Sequence, residues 1–336
     1  MTRAPTPMSC FHPLVLLTLA LTRQALAHTW IEQLTNVASN GTFIAGFGYA
    51  RNFVDRKTPG FNGKSNEWLI PQAREFVNEE DLLCHPSQRT ASQTPGRPRL
   101  QSTPGTVIAL RYLENGHATI SGSGGMGKPE KGGTVFVFGT HNPAPAEKLL
   151  NVLRWTRDGS GGDKRGTLLT AQNFDDGRCY QLGNNAPLAT IRQEQNPNPP
   201  TGQAGGIYEL PCETDVLLPD NLDVNTPYTL YWVWQWPTAP SNPSHGKDEY
   251  YTSCVDVDIV SKILTKQSEN PRDQQDQQPR AVNDFLSRQA LTQDPLALTS
   301  MPGFGTLPFI STTSFTIASG TQGSQAANTL VTSTQR

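Results

Sequence analysis

His28 stands directly behind a stretch that reads as a secretory leader. That position would give it chemistry no internal histidine has. Arg3 supplies a positive start, residues 13–21 are apolar, and Ala25-Leu26-Ala27 is a small-x-small cleavage site. Cleavage after Ala27 would free the α-amino group of His28. One residue then offers two nitrogens, the amine and ring Nδ1, that close a chelate ring on a single metal. The pKa of an α-amino group lies near ~7.7–8.0, so a metal competes easily with its proton. A second imidazole would complete a planar set of three nitrogens, and such a set suits copper.

Four other histidines follow the leader, namely His85, His117, His141 and His245. In Leu110-Arg111-Tyr112-Leu113-Glu114-Asn115-Gly116-His117 a strand runs into an Asn-Gly turn. His117 is therefore expected at an exposed turn, which is the reason to prefer it as the second ligand. His141, in Gly139-Thr140-His141-Asn142-Pro143, follows an apolar strand and is the rival. His245, in Pro243-Ser244-His245-Gly246, is placed near the Tyr251 strand, either supporting the ligands from behind or in a loop. His85 adjoins Cys84 and is expected to be held beside a disulfide. A further stretch, Glu249-Tyr250-Tyr251-Thr252-Ser253-Cys254, leads into an alternating strand, with the Tyr251 hydroxyl expected on the face opposite Val255 and Val257.

With Cys10 lost in the leader, Cys84, Cys179, Cys212 and Cys254 form an even set in an oxidising compartment. Two disulfides are expected, with all three pairings open. Asn40-Gly41-Thr42 is a glycosylation sequon.

His28 behind a leader, a second histidine after a mid-chain strand, and Tyr-x-x-Cys near the domain's end together resemble the fungal lytic polysaccharide monooxygenases. Glu249-Tyr250-Tyr251-x-x-Cys254 is similar to their Gln-[Phe/Tyr]-Tyr-x-x-Cys motif. Gly48-Tyr49-x-Arg51 and Arg111-Tyr112-x-Glu114-Asn115-Gly116-His117 also look like an uncharacterised group of fungal secreted proteins related to these enzymes. The resemblance spans roughly residues 28–260 and implies an immunoglobulin-like antiparallel β-sandwich. It implies a copper cofactor in a histidine brace of His28 and His117, with Tyr251 at the axial position. The substrate it implies is a polysaccharide, attacked with O2 or H2O2 and an external electron donor. Glu249 replaces the family's glutamine and puts a carboxylate beside the site, a candidate catalytic acid–base group or a tuner of copper's potential. Two other readings stand beside this one. The first is a histidine-brace copper-binding protein without turnover, for copper acquisition or a cell-wall role. The second is a structural secreted protein with an incidental His28.

The elements that must position these residues read as β. Strand-length runs occur at 42–45, 106–112, 134–138, 149–155, 228–236 and 254–260, between clusters of Gly, Pro and Asn. With 29 Gly and 27 Pro, turns are frequent. Alternation of Val255, Val257 and Ile259 with Asp256 and Asp258 predicts one buried and one wet face. Many short strands with long loops at 46–67 and 85–105 predict an antiparallel sandwich with its site on loops. Trp232, Trp234 and Trp236 share one strand face and are expected in the core; Trp30 is the better candidate for the site's apolar floor. Expected organisation is a leader at 1–27, a β-sandwich at 28–262 and a low-complexity, mostly disordered tail at 263–336. Within that tail, 281–291 has a weak helical pattern.

Lys plus Arg number 27 against 29 Asp plus Glu, which argues against a nucleic-acid partner. The one long apolar run is too short for an ordinary membrane span, and a secreted monomer is expected. Gly122-Ser123-Gly124-Gly125-Met126-Gly127-Lys128 fits G-x-x-x-x-G-K. Pro129 stands where a phosphate loop needs Ser or Thr, so a flexible loop is expected.

Overall fold

β-Branched and aromatic runs between Gly, Pro and Asn clusters become ten strands: Gln33–Val37 (β1), Phe43–Gly48 (β2), Leu69–Ile70 (β3), Leu100–Ser102 (β4), Val107–Tyr112 (β5), Thr134–Thr140 (β6), Thr167–Asn173 (β7), Cys212–Leu217 (β8), Pro227–Gln235 (β9) and Tyr250–Ile259 (β10). The computed structural model describes residues 29–120, 122, 127–183, 185–198, 209–241, 245–263, 280–290 and 294–296. The leader, His28 and the low-complexity stretches at 267–279 and 311–336 lie outside them.

One sheet has the order β2-β1-β5-β8. The other has the order β3-β10-β9-β6-β7, with β4 added alongside β10. All pairings are antiparallel except β4 with β10. This is the expected all-β sandwich. Its core lies between the sheets. Leu34, Ile108 and Leu110 of the first sheet pack toward Val135, Trp232, Trp234 and Val255 of the second. The tryptophans of β9 are thus core residues, as a buried sheet face requires. The opposite face of β9, with Tyr231 and Val233, is also covered.

That second cover is where the sequence reading is corrected. The run at 149–155 opens with a short helix, Leu149–Leu153 (α1), and is not a strand. Leu149, Leu150, Val152 and Leu153 are all buried against Phe136, Phe138 and Tyr231. A short continuous apolar run does not distinguish the two periods, and here the packing of adjacent leucines onto a sheet decides it. The expected wet face of β10 is also corrected at Asp256, which is buried and bidentately paired with Arg51 (2.8 and 2.6 Å). Tyr251 shares the face of Val255 and Val257 rather than opposing it, because residues two apart in a strand point the same way.

The two disulfides are Cys84–Cys254 and Cys179–Cys212. Packing does not stop at residue 262. Residues 280–290 lie on the outer face of the first sheet, where Ala281, Val282 and Phe285 cluster with Val37, Val107 and Ala109. A single helical turn closes this segment at Ser287–Ala290. Among the described residues, no helix is long and apolar enough to cross a membrane.

Candidate metal centre around His117

The site forms at one end of the sandwich, where β5 and β9 finish and β10 begins. β5 ends at Tyr112, and Leu113 leads into Glu114-Asn115-Gly116-His117. Asn115 (φ 45°) and Gly116 (φ 83°) both adopt left-handed backbone, which the Asn-Gly pair tolerates and most residues do not. The His117 N–H closes this turn on the Glu114 carbonyl at 2.8 Å.

His117 is not an exposed turn residue. It is 4 % exposed, because its ring turns inward against Trp236 (centroids 4.4 Å apart) and Trp234 (5.2 Å). The indoles come from the end of β9, so the sandwich core itself supplies the floor beneath the imidazole. Trp30 is not that floor. It packs edge-on to Phe61 (5.8 Å) under the Arg56 guanidinium (4.3 Å).

His117 Nδ1 lies 2.8 Å from the Glu114 carbonyl, an atom that only accepts, so Nδ1 carries the proton. Nε2 is then a bare lone pair, and it is buried with no hydrogen-bond partner among the described residues. Burial pulls the His117 pKa down to about 4, against smaller opposing contributions from the Glu114 carbonyl and the Glu249 carboxylate. The imidazole is neutral at pH 7. A neutral ring with one nitrogen fixed by a backbone carbonyl and the other free has the donor chemistry of a metal ligand. An orphaned buried acceptor is otherwise costly.

Against the same two indoles stand Tyr251 and Lys128, joined by Glu249. Tyr251 stacks on Trp234 (4.9 Å) and donates its hydroxyl to Glu249 Oε1 at 2.8 Å. Burial and the Glu249 carboxylate raise the Tyr251 pKa, so the phenol keeps its proton. The other oxygen, Glu249 Oε2, takes Lys128 Nζ at 2.6 Å, with the two side chains 10 % and 8 % exposed. Lys128 also donates to the Trp236 carbonyl (2.9 Å) and lies 3.8 Å from the centre of the indole. Burial lowers the Lys128 pKa, and Glu249 opposes that shift. Lys128, at the end of the glycine-rich run, thus meets a carboxylate. Sequence reading missed Glu114, Trp236 and Lys128 as site residues. Only the adjacency of Glu114 to the turn was a signal.

The start of the described chain runs into the same region. Thr29 is buried and donates Oγ1 to the Leu113 carbonyl (2.7 Å), and the Ile31 N–H donates to Ser253 Oγ (3.1 Å). Position 29 is therefore fastened to the residue before Glu114.

The remaining candidates are not in contact with His117. His141 is exposed just past the end of β6, its ring 4.8 Å from Tyr228. The start of β6 pairs with Gln235, beside Trp236, so His141 sits at the other end of the strand, on the order of 20 Å away at strand rise. His245 is exposed in the loop before Lys247, and Lys247 Nζ is 3.7 Å from Glu249 Oε2. His85 contacts Ser87 through Nδ1 (2.7 Å) and packs against Trp68 next to the Cys84–Cys254 bridge. Asn40 is exposed in the β1–β2 turn, at the end of the sandwich away from His117. Asp176, Cys179 and Cys212 also cluster, but the cysteines are bonded to each other. Asp176 accepts the N–H groups of Arg178, Cys179 and Glu213.

A family model described as "Domain of unknown function (DUF7492)" matches residues 25–285. No curated protein matches the chain. The solved structures that resemble it weakly include two. One is a glycoside hydrolase family 61 member, Cel61B from Hypocrea jecorina, at 12 % identity and a TM-score of 0.27, covering 70 % of this chain and 83 % of that one. The other is HiLPMO9B, at 12 % identity and a TM-score of 0.29, covering 72 % and 82 %. Overlaps this slight carry no argument about activity.

Proposed function

The chain belongs to that family of unknown function, and we propose that it is a secreted mononuclear copper protein that oxidatively cleaves a polysaccharide. The observation that carries this reading is His117 Nε2, a buried lone pair with no partner among the described residues, on a ring whose other nitrogen is fixed. His28 would supply the amine and its Nδ1, His117 would supply Nε2, Tyr251 would screen the site, and Glu249 accepts the Tyr251 hydroxyl and would tune the metal. Thr29, tied to Leu113, supports bringing residue 28 to this end of the sandwich, since adjacent Cα atoms are about 3.8 Å apart. Bound copper would supply one-electron chemistry, taking electrons from an external donor and activating O2 or H2O2 toward a glycan C–H bond. The leader-like N-terminus and the two disulfides support secretion, and the exposed Asn40 supports glycosylation at the far end of the domain.

The test is electron paramagnetic resonance of the secreted, Cu(II)-loaded protein, beside a version with one extra residue ahead of His28 and beside His117→Ala. An axial, nitrogen-rich signal that collapses in both variants is expected. Reductant-dependent release of oxidised oligosaccharides from insoluble glycan should accompany it in the parent alone. Identical spectra in all three would overturn the brace. A collapsing signal without glycan oxidation would replace turnover by copper carriage.

A further inference from the structure

Glu114 is buried at the foot of the His117 turn, and its carboxylate is saturated with donors. Oε2 accepts the N–H groups of Ala118 (2.8 Å) and Thr119 (3.3 Å). Oε1 accepts the Thr119 hydroxyl (2.6 Å) and the N–H of Gln181 (3.0 Å). The first three bonds wrap the segment after His117 around one side chain. The fourth ties that segment to residue 181, two positions from Cys179 and its bridge to Cys212. The same residue's carbonyl takes both the His117 N–H and His117 Nδ1. His117 is thus held by the carbonyl of a residue whose own carboxylate is anchored two positions from a disulfide.

We propose that Glu114 is the positioning residue of His117. Its carboxylate cross-braces the turn to the Cys179–Cys212 segment, so that its carbonyl fixes the Nδ1–H tautomer and leaves Nε2 as the donor. A carboxylate suits this task because all four contacts are donors and it offers only acceptors. An amide of the same shape would turn an NH2 group toward one pair of them. The metal-binding consequence rests on the copper reading above; the tautomer consequence does not.

The experiment uses the full chain, with and without Cu(II). Long-range 15N–1H correlation on the metal-free, histidine-labelled protein reads the His117 tautomer, assigned by its absence in His117→Gln. The parent should show Nδ1–H alone. Glu114→Gln should populate the Nε2–H form and bind Cu(II) 10- to 100-fold more weakly by calorimetry, the loss typical when a ligand's supporting bond is disturbed. Thr119→Val, which deletes one of the four bonds, should lose about fivefold and decides the matter if Glu114→Gln does not fold. A pure Nδ1–H tautomer and parental affinity in the folded variants would overturn the proposal. A parent that binds no Cu(II) would sink the copper reading, and the tautomer comparison would still decide the role of Glu114.

Discussion

Lys128 and Glu249 form a pair whose value lies in being complete. Their 2.6 Å contact is nearly dry; removing Lys128 leaves Glu249 with only the more distant and exposed Lys247 at 3.7 Å, and removing Glu249 takes the carboxylate from a buried ammonium. Lys128→Met should therefore cost about 2–3 kcal/mol, toward the low end for buried pairs because each side chain keeps some solvent. Glu249→Gln alone should cost a similar amount. The double variant should recover most of the loss, since the amide oxygen introduced by Glu249→Gln still accepts the Tyr251 hydroxyl. Urea unfolding of the four proteins measures this as a coupling energy, and strictly additive losses would refute it. A similar argument gives Tyr251→Phe. It strands Glu249 Oε1 and should lower stability by about 1 kcal/mol, with Cu(II) affinity nearly intact and the copper spectrum altered.

At the scale of elements, the segment 280–290 behaves as part of the sandwich. Its Ala281 N–H joins the Gly41 carbonyl (2.9 Å), and Arg178 links the Arg280 carbonyl (2.9 Å) to Glu213 (2.9 Å). Phe285→Ala should cost about 3 kcal/mol by opening the cluster over Val107 and Ala109, read as a lower urea midpoint. Beneath this segment Asp215 is fully buried, and neither carboxylate oxygen has a hydrogen bond among the described residues. Burial, then the Glu213 carboxylate and that of Asp176, push its pKa well above the ordinary value, against Arg288 and Arg178. An unfolded Asp gives up its proton near ~3.9. The folded protein keeps it to higher pH, so it binds more protons across that window and loses stability as pH rises. Asp215→Asn has no proton to lose. Its stability should match the parent near pH 4 and exceed it increasingly toward pH 7; parallel curves would refute this.

Across the whole molecule, what sequence could reveal was local. The Asn-Gly pair marked the turn before His117, and the alternation after Tyr251 marked β10. Both belong to contiguous residues. Trp236 was legible as a core residue but not as the floor of the site, because its contact with His117 joins the ends of two strands in different sheets. Glu114, Lys128 and the cover over Asp256 were missed for the same reason: their partners are 67, 121 and 205 residues away in sequence. The disulfides are long-range in unequal degree, and the difference separates two roles. Cys84–Cys254 spans 170 residues and Cys179–Cys212 spans 33, so loop-closure entropy gives about 5 and about 4 kcal/mol respectively. Stability alone would make the longer bridge the more important. The site reverses that order. Cys254 faces the cover of the second sheet, away from Tyr251, whereas Cys179 is two residues from the N–H that anchors Glu114. Replacing Cys84 and Cys254 together by Ser should give the larger fall in unfolding free energy, with Cu(II) affinity of the folded fraction within about twofold of the parent, because no bond around His117 is touched. Replacing Cys179 and Cys212 should give the smaller fall and an affinity loss of about tenfold, matching that expected for a disturbed supporting residue. Denaturant unfolding paired with Cu(II) titration reads both quantities, and affinity losses that simply follow stability would show that Cys179–Cys212 does no more than hold the fold.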